Sequence, residues 1–369
     1  TKSGKSLEQS WNKQLVSYKK SYPKLYAELQ RRLKNKLPSN LTKTIDSLIE
    51  KNDKSMATRK SSQVVLEHIG PILPELIGGS ADLKESNLVF WPESKPFSKK
   101  DPTGKYIHYG VREFGMCGIN NGIFLHGGFR PYGSTFLIFS EYAKNAIRMS
   151  ALMHLPTINV FTHDSIGLGE DGPTHQAVEQ LTSLRIIPGM SVWRPSDVTE
   201  TAISWKSSLE KLNGPSSLVL TRQTLPELKR SKAQIKSIVK GGYILKDCSQ
   251  KIDAILLSSG SETHLCLEAA DKLKDDGLEI RVVSVPCLEE FLSQPKSYQN
   301  KVIPDDFDNI LAVEAGIGVC WDKLIGKKGI KITMDSFGVS APGDKALKYF
   351  GFTTSNVIKQ TKKLIKKNG

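Results

Sequence analysis

The chain has 369 residues, of which 38% are hydrophobic and 24% charged, and it carries a formal net charge of +14. That length accommodates two or three domains with cores of their own, and no apolar run approaches the roughly 20 residues needed to cross a bilayer. The lysines are spread, with short clusters at 33–36, 95–105 and 360–367 that do not interleave aromatics, so anionic small molecules suit the charge better than nucleic acid.

The start, Thr1-Lys-Ser-Gly-Lys-Ser6, has neither an apolar segment resembling a signal peptide nor an initiator Met. The expectation is a cytoplasmic protein, not a membrane one, that is a fragment or a processed piece. Residues 1–54 place Leu7, Trp11, Leu15, Tyr18, Tyr22, Leu25 and Leu29 at helical spacing with a break near Pro23, predicting a helical arm. Ser55 or Thr58 is expected to cap the next helix, with Arg59 in its first turn. A cation there opposes the helix dipole, which suits an external anion. Gly78-Gly-Ser-Ala-Asp-Leu83 reads as a strand end followed by a Gly-rich turn able to approach a ligand.

Tyr106-Ile-His-Tyr-Gly110 reads as a strand and Val111-Arg-Glu-Phe-Gly-Met116 as the start of a helix, with Gly115, Gly118 and Gly122 on one face. Glu113, at that junction, is either a first-turn glutamate complementing the dipole or a buried carboxyl for acid–base work. Phe136, Phe139 and Tyr142 fall at i, i+3 and i+6, on one side of a helix or turn, a spacing more typical of a core. Pro156-Thr-Ile-Asn-Val-Phe-Thr162 reads as a buried parallel strand. The stretch that follows, His163-Asp-Ser-Ile-Gly-Leu-Gly-Glu-Asp-Gly-Pro-Thr-His175, is too polar and Gly-rich for a core helix. It lies where open α/β sheets bind ligands, beyond the carboxyl ends of strands.

Ser191-Val-Trp-Arg-Pro195 is a further strand and turn, and Ser217 to Arg222 a strand with Arg222 at its carboxyl end, placed to hold a phosphate or carboxylate. A basic helical linker over 226–240 leads to a second strand–helix alternation with strands at Ile252, Ile280 and Ile310. There Ser258-Ser-Gly-Ser-Glu262 weakly resembles a phosphate-binding turn. Five scattered cysteines without a Cys-x-x-Cys pair argue against a disulfide framework and against a zinc site.

Val111-Arg-Glu-Phe-Gly-Met116, Gly169-Glu-Asp-Gly-Pro-Thr-His-Gln176 and Gly78-Gly-Ser-Ala-Asp-Leu83, in that setting, resemble the pyrimidine-binding and C-terminal domains of transketolase, a thiamine-diphosphate enzyme of the pentose phosphate pathway. The resemblance covers nearly the whole chain. The 2-oxo-acid dehydrogenase beta chains share the fold but not the Gly-Glu-Asp-Gly-Pro-Thr-His string. It implies two doubly wound α/β domains: a connecting arm over 1–54, a mostly parallel pyrimidine-binding domain over 55–228, a linker over 229–240 and a smaller C-terminal domain over 241–369.

The resemblance also implies roles. Glu113 corresponds to the glutamate that hydrogen-bonds N1′ of the cofactor's aminopyrimidine, Phe136, Phe139 and Tyr142 to the aromatics around that ring, and Asp82 to an acidic position near the cofactor at the dimer interface. Asp171 and His175 correspond to the pair on the donor-ketose hydroxyls, with His175 assisting proton transfer. Arg59, Ser86, His163 and Arg222 correspond to the grip on the substrate phosphate. The family's Gly-Asp-Gly element, which binds Mg²⁺ or another divalent cation together with the diphosphate, has no counterpart in this chain. The missing half is expected from another chain, in a homodimer or heterotetramer, or from the rest of the same protein. The alternatives are a non-catalytic dimerising remnant or a beta-type subunit of another thiamine-diphosphate enzyme.

Overall fold

In a computed structural model, residues 1–248 and 251–368 are described. Helix Lys2–Ser21 stops where Pro23 forbids continuation: Tyr22, restricted by the ring that follows it, leaves helical geometry (φ −135°, ψ 64°) and Pro23 opens helix Pro23–Leu33 at its first turn. No residue of Lys2–Ser21 is buried, and Leu7 and Trp11 stand exposed, so this part of the arm's apolar stripe is left uncovered by the described residues. Among the described residues no helix is long and apolar enough to cross a membrane.

Six strands form the first sheet: β1 (Leu76–Ser80), β2 (Tyr106–His108), β3 (Arg130–Phe136), β4 (Ile158–Thr162), β5 (Ser191–Trp193) and β6 (Ser216–Leu220). They pair in the order β2-β1-β3-β4-β6-β5, all parallel. The expected strand 156–162 is the buried β4 near the middle of the sheet. Burial on both faces explains its unbroken apolar character. One face packs Val65, Ile69 and Trp205 from helices Thr58–Ile69 and Val198–Glu210; the other packs Met116 and Ile147 from helices Glu113–His126 and Ser140–Leu152.

Three local expectations are corrected. Gly78 and Gly79 lie inside β1 rather than in a turn, because a Cβ at Gly78 would sit 2.0 Å from the Tyr132 carbonyl oxygen and one at Gly79 1.9 Å from that of Ile107, on the two neighbouring strands. Helix Thr58–Ile69 has no side-chain cap. Its first hydroxyl instead accepts from the Thr221 amide at 2.7 Å and faces Thr221 Oγ1 at 3.2 Å, tying the helix to the end of β6. The aromatic series spans three elements, with Phe136 ending β3, Phe139 in a short 3-10 turn and Tyr142 in helix Ser140–Leu152.

The second sheet comprises β7 (Tyr243–Lys246), β8 (Ala254–Ser258), β9 (Ile280–Ser284), β10 (Ile310–Ile317) and β11 (Ile330–Met334), in the order β11-β10-β8-β9-β7. Only β7 runs antiparallel. Helices cover both faces, Thr263–Asp275 and Thr354–Asn368 on one side and Leu288–Leu292 and Lys296–Val302 on the other. The segment between the domains is pinned: Ser231 and Gln234 form a capping box, and Arg230 is buried against Asp197 at 2.5 Å and Glu200 at 3.4 Å.

Candidate active site

The segments beyond the carboxyl ends of β1, β2, β3, β4 and β6, together with the first turn of helix Thr58–Ile69, carry the expected site residues. Phe136, Phe139 and Tyr142 form a ladder, with ring centroids 5.6 Å apart for the first pair and 5.9 Å for the second, both stacked. The His163 ring stacks on Phe136 at 3.7 Å, and His175 meets Phe139 edge-on at 5.5 Å. Both imidazoles of the long loop therefore sit against the same aromatic wall. Tyr142 is 68% exposed, leaving the ladder's last ring open on one side.

The Thr58–Thr221 tie brings the next residues on each side, Arg59 and Arg222, into range of one another. Burial lowers the Arg59 pKa, and the positive charge of Arg222 lowers it further. Neither guanidinium has a carboxylate within ion-pair distance among the described residues. Arg59 donates to the backbone carbonyl of Ser86 at 2.6 Å, and Arg222 to that of Leu168 at 3.0 Å. Each keeps donors free, and two like charges held together without a counter-ion make a site for an anion. Ser86 thus joins the cluster.

His163 is 3% exposed and lies in the left-handed region (φ 59°), a backbone conformation that costs a non-glycine residue energy and fixes its ring over Phe136. Burial pushes its pKa down to about 3, with Arg59, Arg222 and His175 adding to the effect. A pKa so low favours the neutral imidazole in the free chain. The positive charge of this cluster lies on the two arginines.

Glu113 opens helix Glu113–His126, where its charge complements the helix dipole, and it is buried out of bulk solvent. Its carboxylate has no hydrogen-bond donor among the described residues, although it is close enough to Cys117, one turn on, to raise that thiol's pKa together with burial. Asp82 is exposed just past β1, in left-handed conformation (φ 61°), where the Ala81 amide still bonds the Ser134 carbonyl of β3. Asp171 is exposed, and the Nδ1 of His175 faces Thr174 Oγ1 at 3.0 Å. The structure gathers the aromatic, imidazole and guanidinium groups by direct contact or charge; it sets Glu113, Asp82 and Asp171 around them without such contact.

Several residues escaped the sequence reading. Asp164 is no ligand for a substrate: its carboxylate takes two bonds from Arg194, at 2.7 and 3.0 Å, and Arg194 also reaches Glu262 at 2.5 Å and the Ser259 carbonyl at 2.8 Å. This guanidinium fills the turn Ser258–Glu262, so the weak resemblance to a phosphate-binding turn is corrected. Beside it Arg185 grips Glu314 at 2.7 and 2.9 Å. Burial works to raise the Glu314 pKa, and Arg185 overrides it, holding it down at about 2. The loop is held farther along too, in its middle by Ser340 on the Glu170 carbonyl (2.8 Å) and just past its far end by Gln176 on the Val339 carbonyl (2.9 Å). These pairings join residues tens to more than a hundred positions apart, beyond any local pattern.

A parallel α/β domain carrying this loop, followed by a mixed-sheet α/β domain, has a counterpart among thiamine-dependent enzymes: residues 54–227 match the family model described as transketolase, pyrimidine binding domain, and residues 241–353 that of the transketolase-like C-terminal domain. The chain belongs to the transketolase family. It is 50% identical over 365 residues to transketolase 2 of Escherichia coli, covering 98% of this chain and 55% of that protein. A Pichia stipitis transketolase solved in complex with sedoheptulose-7-phosphate matches with a TM-score of 0.91 and 41% identity, over 98% of this chain and 53% of that one. A split-gene transketolase described as an inactive beta4 tetramer matches over 85% of this chain and 99% of its own, with a TM-score of 0.67; at 24% identity that likeness speaks to fold alone. The chain spans about half the length of the curated relatives it matches.

Proposed function

We propose that this chain supplies the pyrimidine-binding and phosphate-gripping half of a transketolase active site, for transfer of a two-carbon ketol unit from a ketose phosphate to an aldose phosphate. The observation that carries the proposal is the pair Arg59 and Arg222, unmatched by carboxylate and set beside two imidazoles and an aromatic ladder. A sugar phosphate meets those demands: Arg59 and Arg222 take the phosphate, with His163 and Ser86 beside them, while His175 and Asp171 face the hydroxyls. His175 holds or passes a proton at the donor's hydroxyl oxygen.

The residues present fit the aminopyrimidine of thiamine diphosphate. Phe136, Phe139 and Tyr142 offer stacked faces to a flat ring, the free carboxylate of Glu113 suits a protonated ring nitrogen, and Asp82 borders the same end of the sheet. When bound, the cofactor supplies the electron sink that carbon–carbon bond cleavage requires. Among the described residues no cluster of three His, Cys, Asp or Glu side chains gathers as a metal site. The family resemblance assigns the diphosphate and its Mg²⁺ to an amino-terminal half, in a homodimer of the whole protein or a heterotetramer with a second chain in the cytoplasm. Exposed Phe114, Ile119 and the open Gly118 and Gly122 of helix Glu113–His126, and the bare stripe of Lys2–Ser21, offer it a surface.

Calorimetry with thiamine diphosphate and Mg²⁺, run on this chain alone and then mixed with an amino-terminal transketolase half, tests the proposal. Tight cofactor binding and ketol transfer are expected only in the mixture. A mixture that assembles yet neither binds nor turns over identifies a non-catalytic dimerising protein instead.

A further inference from the structure

The binding role proposed for His163 raises a question of protons. Its Nδ1 lies 2.8 Å from Thr162 Oγ1, so Nε2 is the nitrogen left for a ligand. A neutral imidazole carries one N–H, and only a protonated Nε2 can donate to a phosphate oxygen; a bare lone pair there would repel it. The same Thr162 Oγ1 lies 2.8 Å from Asn87 Oδ1, and all three side chains are buried. The threonine hydroxyl has a single proton. If it goes to Asn87 Oδ1, His163 must donate at Nδ1, and Nε2 is left bare.

Asn87 resolves the conflict. Its Nδ2 is buried without a partner, and the oxygen and nitrogen of a side-chain amide exchange places on a half-turn that alters no heavy-atom position. Turned, Nδ2–H donates to Thr162 Oγ1, which then gives its own proton to His163 Nδ1. This satisfies one N–H of the amide and leaves a carbonyl oxygen, which tolerates burial unpaired better than a donor does. We propose that Asn87 and Thr162 are positioning residues that set the tautomer of His163: a chain of donors running Asn87 to Thr162 to His163 Nδ1 keeps the ring proton on Nε2, facing the anion. The depressed pKa of His163 makes the neutral form the one that matters in the free chain.

The inference rests on the phosphate grip proposed above, and the test separates the two. The full chain labelled with ¹⁵N-histidine gives long-range ¹H–¹⁵N correlations that distinguish the ring nitrogens, with His163 assigned from the peaks lost in His163→Asn. The wild-type ring is expected as the Nε2–H tautomer. In Asn87→Asp the carboxylate takes the threonine proton, so the ring should switch to Nδ1–H, and inorganic phosphate should bind about tenfold more weakly, as for one hydrogen bond lost. Thr162→Val, close in shape, should leave a mixture of tautomers if the aspartate variant fails to fold. An Nδ1–H ring in the wild type, or a ring unmoved by both substitutions, overturns the proposal. A wild-type Nε2–H ring that switches as expected in a chain that binds no phosphate upholds the tautomer relay and overturns the grip.

Discussion

Substituting either arginine of the grip should separate binding from stability. Arg222→Gln removes a guanidinium that has no carboxylate partner and only one internal hydrogen bond, to the Leu168 carbonyl at 3.0 Å. A single bond from a charged donor to a backbone carbonyl contributes about 1.5 kcal/mol, and the loss is offset because Arg59, half-buried, is relieved of a neighbouring like charge. Thermal unfolding of the variant should therefore stay close to wild type. Binding should not: a charge-assisted hydrogen bond to a phosphate oxygen is worth about 1.5–3 kcal/mol, or about ten- to a hundredfold in affinity. Arg59→Gln should weaken binding by a similar factor. The assay is calorimetric titration with inorganic phosphate and with ribose 5-phosphate at low and moderate salt, alongside thermal melts. Affinities within about twofold of wild type for both variants, against tens-fold expected, would refute the argument.

Other substitutions probe other links. Glu113→Gln, in the assembled enzyme, should reduce turnover by at least about a hundredfold, the scale of a lost acid–base group; near-normal turnover would remove Glu113 from the chemistry. Gly79→Ala must push a methyl against the Ile107 backbone, where 1.9 Å is available, and should lower unfolding stability in urea by about 2–3 kcal/mol. Arg194→Met strands the buried carboxylates of Asp164 and Glu262 and should cost about 3–5 kcal/mol, with the two domains' unfolding transitions drawing apart. His163 adds a pH term. Its folded pKa, about 3, lies below its ordinary 6.5, so the unfolded chain takes up a proton that the folded chain refuses. Stability from this residue is complete above pH 6.5 and is lost as pH falls toward 3, by about 1.4 kcal/mol per unit at most. His163→Asn should flatten that slope in urea titrations at stepped pH.

The sequence carried the sheet well because burial writes itself into composition: β4 reads as a strand since both its faces are covered, and Pro23 reads as a break since the ring admits no other outcome. The site residues were legible as types and as a family resemblance, whereas their meeting depends on register. Arg59 faces Arg222 because Thr58 pairs with Thr221, 163 positions away. Glycine misled for a physical reason. Gly78-Gly79 and Ser258–Glu262 share the small residues that both tight turns and close packing require, and only the neighbours, strand carbonyls in one case and Arg194 in the other, tell them apart. Asn87 left no signal, since an asparagine on a four-residue helix acquires its importance from Thr162, 75 positions on.

The long loop is anchored to the second domain at both ends and in its middle. Immediately after His163, Asp164 locks onto Arg194, whose other partners lie on the second domain; immediately after His175, Gln176 bonds the Val339 carbonyl of that same domain. Both imidazoles are thus one residue from an inter-domain anchor. Between them, Gly169 and Gly172 take positive φ (103° and 76°), and Asp171 projects into solvent with no partner of its own among the described residues. The second domain thus holds the loop that carries both imidazoles at three places: at its start through Arg194, in its middle through Ser340 on the Glu170 carbonyl, and just past its end through Gln176 on the Val339 carbonyl.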